Sequence, residues 1–358
     1  MRARRENLKV GIYRTSDPNG KYCAVNTAYE KILAHNGIAF VRLEDSQPDF
    51  WDAIRDFDLF ILRWSQWDSD RQIALDLLPV IEENLKIKCF PDLNTCWHSD
   101  DKVRQYFLLK PFGFPMVESH IFRERGAALN WAGRADFPVV FKLRGGAGSQ
   151  NVIMVEDRRQ ARKLIKRMFG RGILPEKFIH AGSVRFRHFS LYRELHHRAG
   201  NLCRRWKSLD VSPFWRLHKN YILFQDFIPG NRFDTRVTVI GERAFIFRRF
   251  TRPNDFRASG SGMIDYDLGR VDLRCVEIAF RISREMKFQS MAYDFLFTPD
   301  NEPVFCEISY TFQPRAIFDC PGYFDRFLHL NEGHFWPEYL HLVDALKLPD
   351  LEQPELDY

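Results

Sequence analysis

The first ninety-five residues alternate short apolar segments with amphipathic ones, and this alternation constrains the fold more than any other feature. Leu8–Arg14 has the composition of a buried strand, whereas Ala24–Gly37 repeats apolar residues at helical spacing and ends in Asn-Gly. Strands that alternate with helices form parallel βαβ units, because a parallel connection has to cross the sheet. We therefore expect a small open α/β domain over residues 1–98.

The remaining residues predict two α+β subdomains and a tail, and 358 residues suffice for two or three packed units. Residues 99–224 contain a capped helix and two candidate strands. Residues 225–321 contain several strands, one amphipathic helix and a β-hairpin around the turn "PDNE". Residues 322–358 are expected to form a C-terminal helical extension. The expected fold class is α/β, with α+β character after residue 98.

Composition excludes several classes of protein. A hydrophobic content of 45% argues against disorder, and no window approaches the roughly 18 apolar residues of a membrane span. The basic N-terminus has no apolar segment of the kind that follows in secretory signals. The seven cysteines are scattered without a CxxC pair, which favours reduced thiols over a disulfide framework or a zinc ribbon. We expect a cytoplasmic protein.

A basic insert is expected at about residues 176–219. Residues 171–220 hold 11 Lys/Arg and 3 Asp/Glu, a balance of +8, whereas the whole chain has +6. One interpretation is that the insert docks an acidic acceptor, such as a phosphorylated sugar, an anionic glycan or an acidic peptide. The other, of equal weight, is a solvated surface loop. Nucleic acid is a weaker option, because no recognised binding motif accompanies the charge.

The stretch "FPVVFKLRGGAGSQNV" places Lys142 at a strand end before a glycine-rich turn. An ammonium there can neutralise nucleotide phosphates, and the glycines at 145, 146 and 148 let backbone N–H groups approach an anion. Ser149 adds a hydroxyl. Glycine-rich hairpin turns are also common without any ligand, and the segment matches neither the P-loop nor the Rossmann fingerprint.

A pair of carboxylates is expected in the hairpin "DFLFTPDNEPVFCEIS". Asp294 and Glu307 lie on strands that the hairpin brings side by side, and Ser309 follows on the same strand face as Glu307. Adjacent carboxylates repel each other unless a cation lies between them, and hard oxygen ligands suit Mg²⁺ shared with phosphates. The alternative is a pair of surface acids near a turn, but Asp294 lies inside an apolar run.

Two further segments carry candidate binding residues. Four arginines (248, 249, 252 and 257) crowd "FIFRRFTRPNDFRASGSG", where they either grip phosphate or carboxylate or form a solvated basic loop. In "LFQDFIPGNRFDTRV" an apolar strand runs into a Pro-Gly break before Asp234 and Arg236. Such a strand-to-loop hinge is able to hold an adenine through its backbone.

In this order the segments resemble the ATP-grasp superfamily over roughly residues 99–312, most closely its glutamate-adding carboxylate–amine ligases. "DKVRQYFLLKPFGFP", "FQDFI", "DTRV", "NDFRASGSG" and "EIS" match motifs of that superfamily. The resemblance implies ATP and Mg²⁺, with Mn²⁺ as an alternative, and an N-terminal domain before the ATP-grasp part. The nucleotide-binding residues that it implies are Lys102, Lys142, Gly145, Gly146, Gly148, Ser149, Gln225, Asp226, Phe227, Ile228, Asp234 and Arg236.

The resemblance also implies roles for these residues. Lys102 is the first nucleotide lysine, Gln225, Asp226 and Ile228 contact the base, and Asp234 contacts the ribose. Asp294, Glu307 and Ser309 hold the metal, although the superfamily usually has Asn where Ser309 stands, and a hydroxyl is the weaker ligand. Arg257, with Arg249, stabilises the charge on the transferred phosphoryl group.

The activity that the resemblance implies is a ligase reaction. A substrate carboxylate attacks the γ-phosphorus, and an amine displaces phosphate from the acylphosphate to form an amide. The substrates are expected to be small-molecule, peptide or glycan acids and amines, with a homodimer as one assembly compatible with the resemblance. The alternative is an ATP-grasp kinase acting on a polyphosphorylated alcohol such as an inositol phosphate, because basic inserts suit such substrates.

Overall fold

The structure, a computed structural model, describes residues 7–15, 23–64, 68–146, 151–173, 216–253 and 255–357. Three β-sheets organise these residues, and helices cover the sheets. The mixed α/β and α+β class predicted from the sequence is confirmed. Most of the basic insert expected at residues 176–219 lies outside the described residues, which resume at residue 216.

The first sheet is parallel, with strand order β2-β1-β3-β4. Its elements are β1 (Lys9–Tyr13), α1 (Ala24–His35), β2 (Ala39–Leu43), α2 (Phe50–Ile54), β3 (Leu59–Ile61), α3 (Asp68–Leu78) and β4 (Cys89–Phe90). A π-helical turn, Pro79–Asn84, continues α3, and the short helix α4 (Leu93–Cys96) follows β4. The βαβ alternation read from the sequence therefore forms the predicted open parallel sheet.

The second sheet is antiparallel, with strand order β5-β8-β6-β7. Its strands are β5 (Ser119–Phe122), β6 (Val139–Lys142), β7 (Val152–Val155) and β8 (Ile222–Asp226). Three helices accompany it: α5 (Lys102–Leu109), α6 (Arg125–Ala132) and α7 (Arg158–Met168). Asp157 begins α7 by accepting a hydrogen bond from the Gln160 N–H (2.7 Å), and an apolar face with Leu164 and Ile165 packs into the core of this sheet.

The third sheet contains seven antiparallel strands, in the order β13-β12-β9-β10-β14-β15 with β11 beside β10. The central strands are β9 (Phe233–Ile240), β10 (Arg243–Phe250), β12 (Ser290–Phe297) and β13 (Pro303–Ser309). The remaining elements are β11 (Ile264–Asp265), α8 (Arg274–Met286), α9 (Pro314–Phe318), β14 (Gly322–Phe324), β15 (Leu330–Glu332) and α10 (Pro337–Leu346). The hairpin predicted around "PDNE" is the β12–β13 pair.

The tail differs from the helical extension expected over residues 322–358. It begins with β14 and β15, which extend the third sheet, and only α10 is an α-helix. Leu342 and Leu346 of α10 pack with Ile32 of α1 in one hydrophobic cluster. The strands are three residues each and leave too little periodicity to be recognised in a sequence.

The first and third sheets share a hydrophobic core. Phe60 and Leu77 of the N-terminal α/β unit belong to the same buried cluster as Val276 and Ile282 of α8. Shared burial of this kind fixes the carboxyl edge of the first sheet beside the strand end that carries Glu307 and Ser309. The Tyr310 hydroxyl donates to the carbonyl of Trp64, which follows β3, at 2.9 Å.

All six cysteines that the structure describes are free thiols, and Cys203 lies outside the described residues. Among the same residues, no helix has both the length and the apolar character needed to span a membrane.

Candidate active site

A cavity lies between the second and third sheets and brings together most of the predicted site residues. The β8 end and the hinge after it line one side, and β12 and β13 line another. Ten predicted residues border this cavity: Lys142, Gly146, Gln225, Asp226, Phe227, Ile228, Asp234, Arg257, Asp294 and Glu307. Lys102 borders a smaller adjoining cavity together with Lys142, Gln225 and Glu307. Segments separated by up to two hundred residues thus meet at one cleft.

Lys142 is the most informative cation of the cleft. It ends β6, only 7% of the residue is exposed, and both cavities border it. Its ammonium forms no hydrogen bond or ion pair with any residue in the described ranges. Because the Lys142 ammonium borders both cavities and has no anionic partner among the described residues, this arrangement points to an anionic ligand.

Lys102, in contrast, is already engaged at the first turn of α5. Its Nζ donates to the Gly146 carbonyl (3.0 Å) and lies 3.1 Å from Glu307 Oε1. Burial lowers the pKa of Lys102, but Glu307 and Asp100 outweigh that effect and the net pKa is raised. Lys102 therefore remains a cation that joins the glycine-rich loop to β13.

The glycine-rich loop (residues 145–149) is described only at its beginning. Gly145 and Gly146 are buried, whereas Gly148 and Ser149 lie outside the described residues. The Gly146 N–H, predicted to face an anion, donates to Asp100 Oδ1 at 2.8 Å. This amide is therefore committed to a protein carboxyl group.

The hinge presents its residues to the cavity in a way that favours backbone contacts. The Gln225 side chain donates to Ser119 Oγ (3.2 Å) and to the Cys306 carbonyl (3.3 Å), and Asp226 pairs with His120 Nε2 at 2.8 Å. Both side chains thus already have protein partners. Phe227 and Ile228 border the cavity, and the Phe227 ring lies edge-on to the Phe256 ring.

Two aspartates and two arginines form a buried chain across β9, β10 and β12. Arg249 binds Asp234 through two hydrogen bonds (2.7 and 2.6 Å) and also reaches Asp294 Oδ2 at 2.8 Å. Arg236 binds both oxygens of Asp294, at 2.7 and 2.8 Å. Burial alone would raise the pKa of Asp294, but Arg236 and Arg249 outweigh it and hold that pKa well below its usual value.

Register explains why these charges meet. Asp294 is the direct cross-strand partner of Arg236 on β9 and of Glu307 on β13, and Asp234 is the partner of Arg249 on β10. Directly paired residues of antiparallel strands point to the same face with Cβ atoms about 5 Å apart. The pairing of Asp294 with Glu307 is the one that the hairpin predicted.

The three predicted metal ligands, Asp294, Glu307 and Ser309, already have protein partners. Glu307 uses one carboxylate oxygen for Lys102, and Asp294 stands beside it with both oxygens bound by guanidinium groups. Ser309 Oγ donates to the Thr311 carbonyl at 2.8 Å. The described residues contain no cluster of three or more His, Cys, Asp or Glu suited to a metal. Mg²⁺ can bind through one or two carboxylates completed by phosphate and water, so the assignment of Asp294, Glu307 and Ser309 to a metal stays a prediction.

Arg257 lies where the second and third sheets approach each other. It binds Asp255 through two hydrogen bonds (2.9 and 2.8 Å), and its Nη1 donates to the Val152 carbonyl of β7 at 3.3 Å. The residue therefore links the strand after the glycine-rich loop to the third sheet and borders the cavity.

The contacts of Asp100 and Asp101, the acids directly before Lys102, were not predicted from the sequence, where this segment was interpreted only as the capped start of a helix. Asp101 does cap α5, by accepting from the Arg104 N–H at 3.0 Å, and it also binds Arg144 Nε at 2.9 Å. Asp100 contacts the glycine-rich loop. The doubled acid in "SDDK" was the available signal, because a cap requires only one.

No protein-family model matches the sequence, and no curated protein matches it. Solved structures do resemble the fold. PurK, the N5-carboxyaminoimidazole ribonucleotide synthetase solved as an ADP complex, has a TM-score of 0.57 and 11% identity, over 98% of this chain and 80% of that chain. A RimK domain ATP-grasp protein from Sphaerobacter thermophilus has a TM-score of 0.51 and 15% identity, over 86% and 93%.

The ATP-grasp ligase PsnB, solved with minimal precursor, Mg and ADP, is a third similar structure. Its TM-score is 0.51 and its identity is 12%, over 88% of this chain and 94% of that chain. At these identities the likeness concerns the arrangement of sheets and helices. It extends over 86–98% of this chain and 80–94% of the other chains.

Proposed function

Since the chain has the ATP-grasp fold, we propose that it is an ADP-forming ligase that activates a carboxylate with Mg·ATP and joins it to an amine. One observation carries the proposal: a single cavity collects the unpartnered ammonium of Lys142, the hinge and the Asp294–Glu307 pair. A phosphate-seeking cation, a base-sized apolar wall and a metal-binding carboxylate pair are the parts that phosphoryl transfer requires.

The nucleotide is proposed to enter with its base against Phe227 and Ile228 and its phosphates against Lys142. The engaged side chains of Gln225 and Asp226 leave base recognition to the hinge backbone. Lys102 holds the beginning of the glycine-rich loop beside Glu307. Asp234 borders the cavity next to the hinge, in agreement with its predicted place at the ribose, although Arg249 already binds both of its oxygens.

Glu307 and Asp294 are the residues proposed to hold Mg²⁺, which would neutralise phosphate charge when bound. Arg257, which borders the cavity, is proposed to stabilise the equatorial oxygens of the transferred group; Arg249, its predicted partner in that role, is not among the residues that line the cavity. Arg249 is held by Asp234 and Asp294 within a buried network, so its guanidinium is fixed before any ligand arrives. A preorganised cation of this kind does not need to reorient during the reaction.

The acid and the amine remain to be identified. Structures similar to this chain include a synthetase and a ligase by name, which supports ligation over phosphorylation of an alcohol. The kinase alternative and the docking of an acidic acceptor both depend on the basic insert, most of which lies outside the described residues. Both therefore stay predictions, as does the cytoplasmic location.

The test is ³¹P NMR of the protein with Mg·ATP and a fractionated metabolite extract. We expect ADP and free phosphate to accumulate only when a fraction supplies both an acid and an amine. Glu307→Gln should abolish this turnover, whereas Glu302→Gln, which changes an exposed acid before the same strand, should leave it intact. A new phosphomonoester signal would make the protein a kinase, and full activity in Glu307→Gln would remove the metal assignment.

A further inference from the structure

We propose that Asp100 is a positioning residue that anchors the beginning of the glycine-rich loop, and that Arg71 of the N-terminal unit holds Asp100 in place. This inference rests on the proposed function, because it assigns to that loop the task of binding phosphate. Asp100 itself acts through the loop and is not expected to touch the nucleotide.

The first support is a set of hydrogen bonds between residues 100–102 and residues 144–146. Asp100 Oδ1 accepts from the Gly146 N–H at 2.8 Å, and the Lys102 N–H donates to the Arg144 carbonyl at 2.9 Å. Lys102 Nζ adds a bond to the Gly146 carbonyl at 3.0 Å. Three bonds over three residues fix the path of the chain just where it leaves β6 for the loop.

The second support is the absence of space around these contacts. A Cβ atom built on Gly145 would lie 2.9 Å from Asp100 Oδ2, so the carboxyl group lies directly against the loop backbone. Gly146 has a φ of +124°, which residues with side chains rarely adopt. The glycines therefore allow Asp100 to reach the loop backbone, a role in addition to any approach to phosphate.

The third support is the conformation of Asp100 and its contacts with Arg71. Its φ is +49°, in the left-handed region, which carries a cost that the surroundings must offset. Arg71 Nη1 lies 3.4 Å from the Asp100 carbonyl, and Arg71 Nη2 lies 3.8 Å from Asp100 Oδ2. Arg71 is 8% exposed and is itself held by Asp68 Oδ1 at 3.3 Å on α3.

The protonation state of the Asp100 carboxyl group decides how strongly it holds the beginning of the glycine-rich loop. Burial raises the pKa of Asp100 to about 6, against the opposing effects of Lys102, Arg71 and the Gly146 N–H, and Glu307 raises it further. Above that pH the carboxylate accepts from Gly146 as a charged group, and a bond to a charged group is the stronger one. Below it, the protonated group pairs less well with Arg71 and Lys102. Nucleotide affinity should therefore fall as the pH decreases through 6.

The experiment compares Asp100→Ala and Asp100→Asn with the unmodified protein. Hydrogen exchange of residues 143–155 is followed by mass spectrometry without nucleotide, and ADP affinity is measured by calorimetry. Asp100→Ala should speed exchange and weaken ADP binding roughly tenfold, because the Gly146 N–H loses its acceptor. Asp100→Asn keeps an acceptor oxygen of the same shape and should recover most of that loss at pH 7.5.

The pH profile separates positioning from a merely structural role. ADP affinity of the unmodified protein should fall between pH 7 and pH 5 more steeply than that of Asp100→Asn, which shares the titration of the ligand but lacks the carboxyl group. Arg71→Met should flatten the difference between the two, whereas Asp76→Asn, an exposed acid on the same helix, should not.

Unchanged exchange of residues 143–155 in Asp100→Ala would overturn the anchor, as would identical pH profiles for the unmodified protein and Asp100→Asn. If the unmodified protein binds no ADP, the proposed function fails, and the exchange experiment still decides whether Asp100 anchors the loop. If Asp100→Ala does not fold, Arg71→Met carries the comparison: loss of its contacts with Asp100 should also speed exchange of residues 143–155, and normal exchange in Arg71→Met would reject the proposal.

Discussion

Lys142 and Arg249 are equally buried cations, each 7% exposed, but Lys142 borders the cavity between the second and third sheets, whereas Arg249 is not among the residues that line it. Arg249 is bound by Asp234 and Asp294 through three short contacts, whereas the Lys142 ammonium has no partner among the described residues. Burial alone therefore does not identify a binding residue. A cation that is paired with buried carboxylates stabilises the fold, whereas a cation that borders a cavity without a partner is available to an anionic ligand.

The largest effect expected from this comparison is on stability. Arg249→Met should reduce the free energy of unfolding by about 3–5 kcal/mol, because it leaves Asp234 and Asp294 buried with too little positive charge. Urea unfolding measures the change. Arg243→Met removes a more exposed pair with Asp344 and should cost less than about 1 kcal/mol. Equal losses in the two variants would show that the buried Asp234–Arg249–Asp294 network contributes no more to the free energy of unfolding than the more exposed Arg243–Asp344 pair.

The next largest effect is expected on ligand affinity, with little change in stability. Lys142→Met should lower ADP affinity roughly thirtyfold, the equivalent of one charge-assisted contact, yet change the free energy of unfolding by less than about 1 kcal/mol. Calorimetry and urea unfolding measure the two quantities on the same samples. Lys166→Met on the exposed face of α7 serves as the matched control. A loss of unfolding free energy as large as that of Arg249→Met would show that Lys142 stabilises the fold as Arg249 does.

A smaller effect concerns a third buried base, His98, whose ring nitrogens have no hydrogen-bond partner among the residues that the structure describes. Burial lowers its pKa to about 4, so the unfolded chain takes up a proton near pH 6.5 while the folded chain does not. The free energy of unfolding should therefore decrease as the pH falls from 6.5 toward 4, by about 1–2 kcal/mol between pH 6.5 and 5. His98→Phe should flatten this slope in pH-dependent urea unfolding, whereas the same change at exposed His329 should not.

The sequence was most informative where the decisive contacts are local. Asp294 and Glu307 flank one tight hairpin, so alternation along two strands was enough to place them side by side. Lys142 was singled out because it ends a strand directly before a glycine-rich turn, and its role at phosphate stays a prediction. The parallel N-terminal sheet followed from the alternation of strands and helices for the same reason, since each unit is defined within about thirty residues.

The contacts that could not be predicted from the sequence depend on the order of the strands in the sheets. The chain from Asp234 through Arg249 to Asp294 and Arg236 exists because β12 lies beside β9 and not beside β11, which precedes it in the chain. The bonds that occupy the Gln225 side chain come from β5 and β13, and the partner of Asp100 comes from α3. Each is a contact across many residues, and periodicity carries no information about such pairings.

The packing of α10 against α1 has a consequence for synthesis on the ribosome. Trp336, Leu342 and Leu346 complete the buried cluster that Tyr29 and Ile32 begin, and the Tyr29 hydroxyl meets His341 Nδ1 at 2.9 Å. The apolar face of α1 therefore stays partly uncovered while some three hundred further residues are translated. During that interval the nascent N-terminal unit exposes the surface that chaperones recognise, and folding of its core is completed only after translation has passed α10.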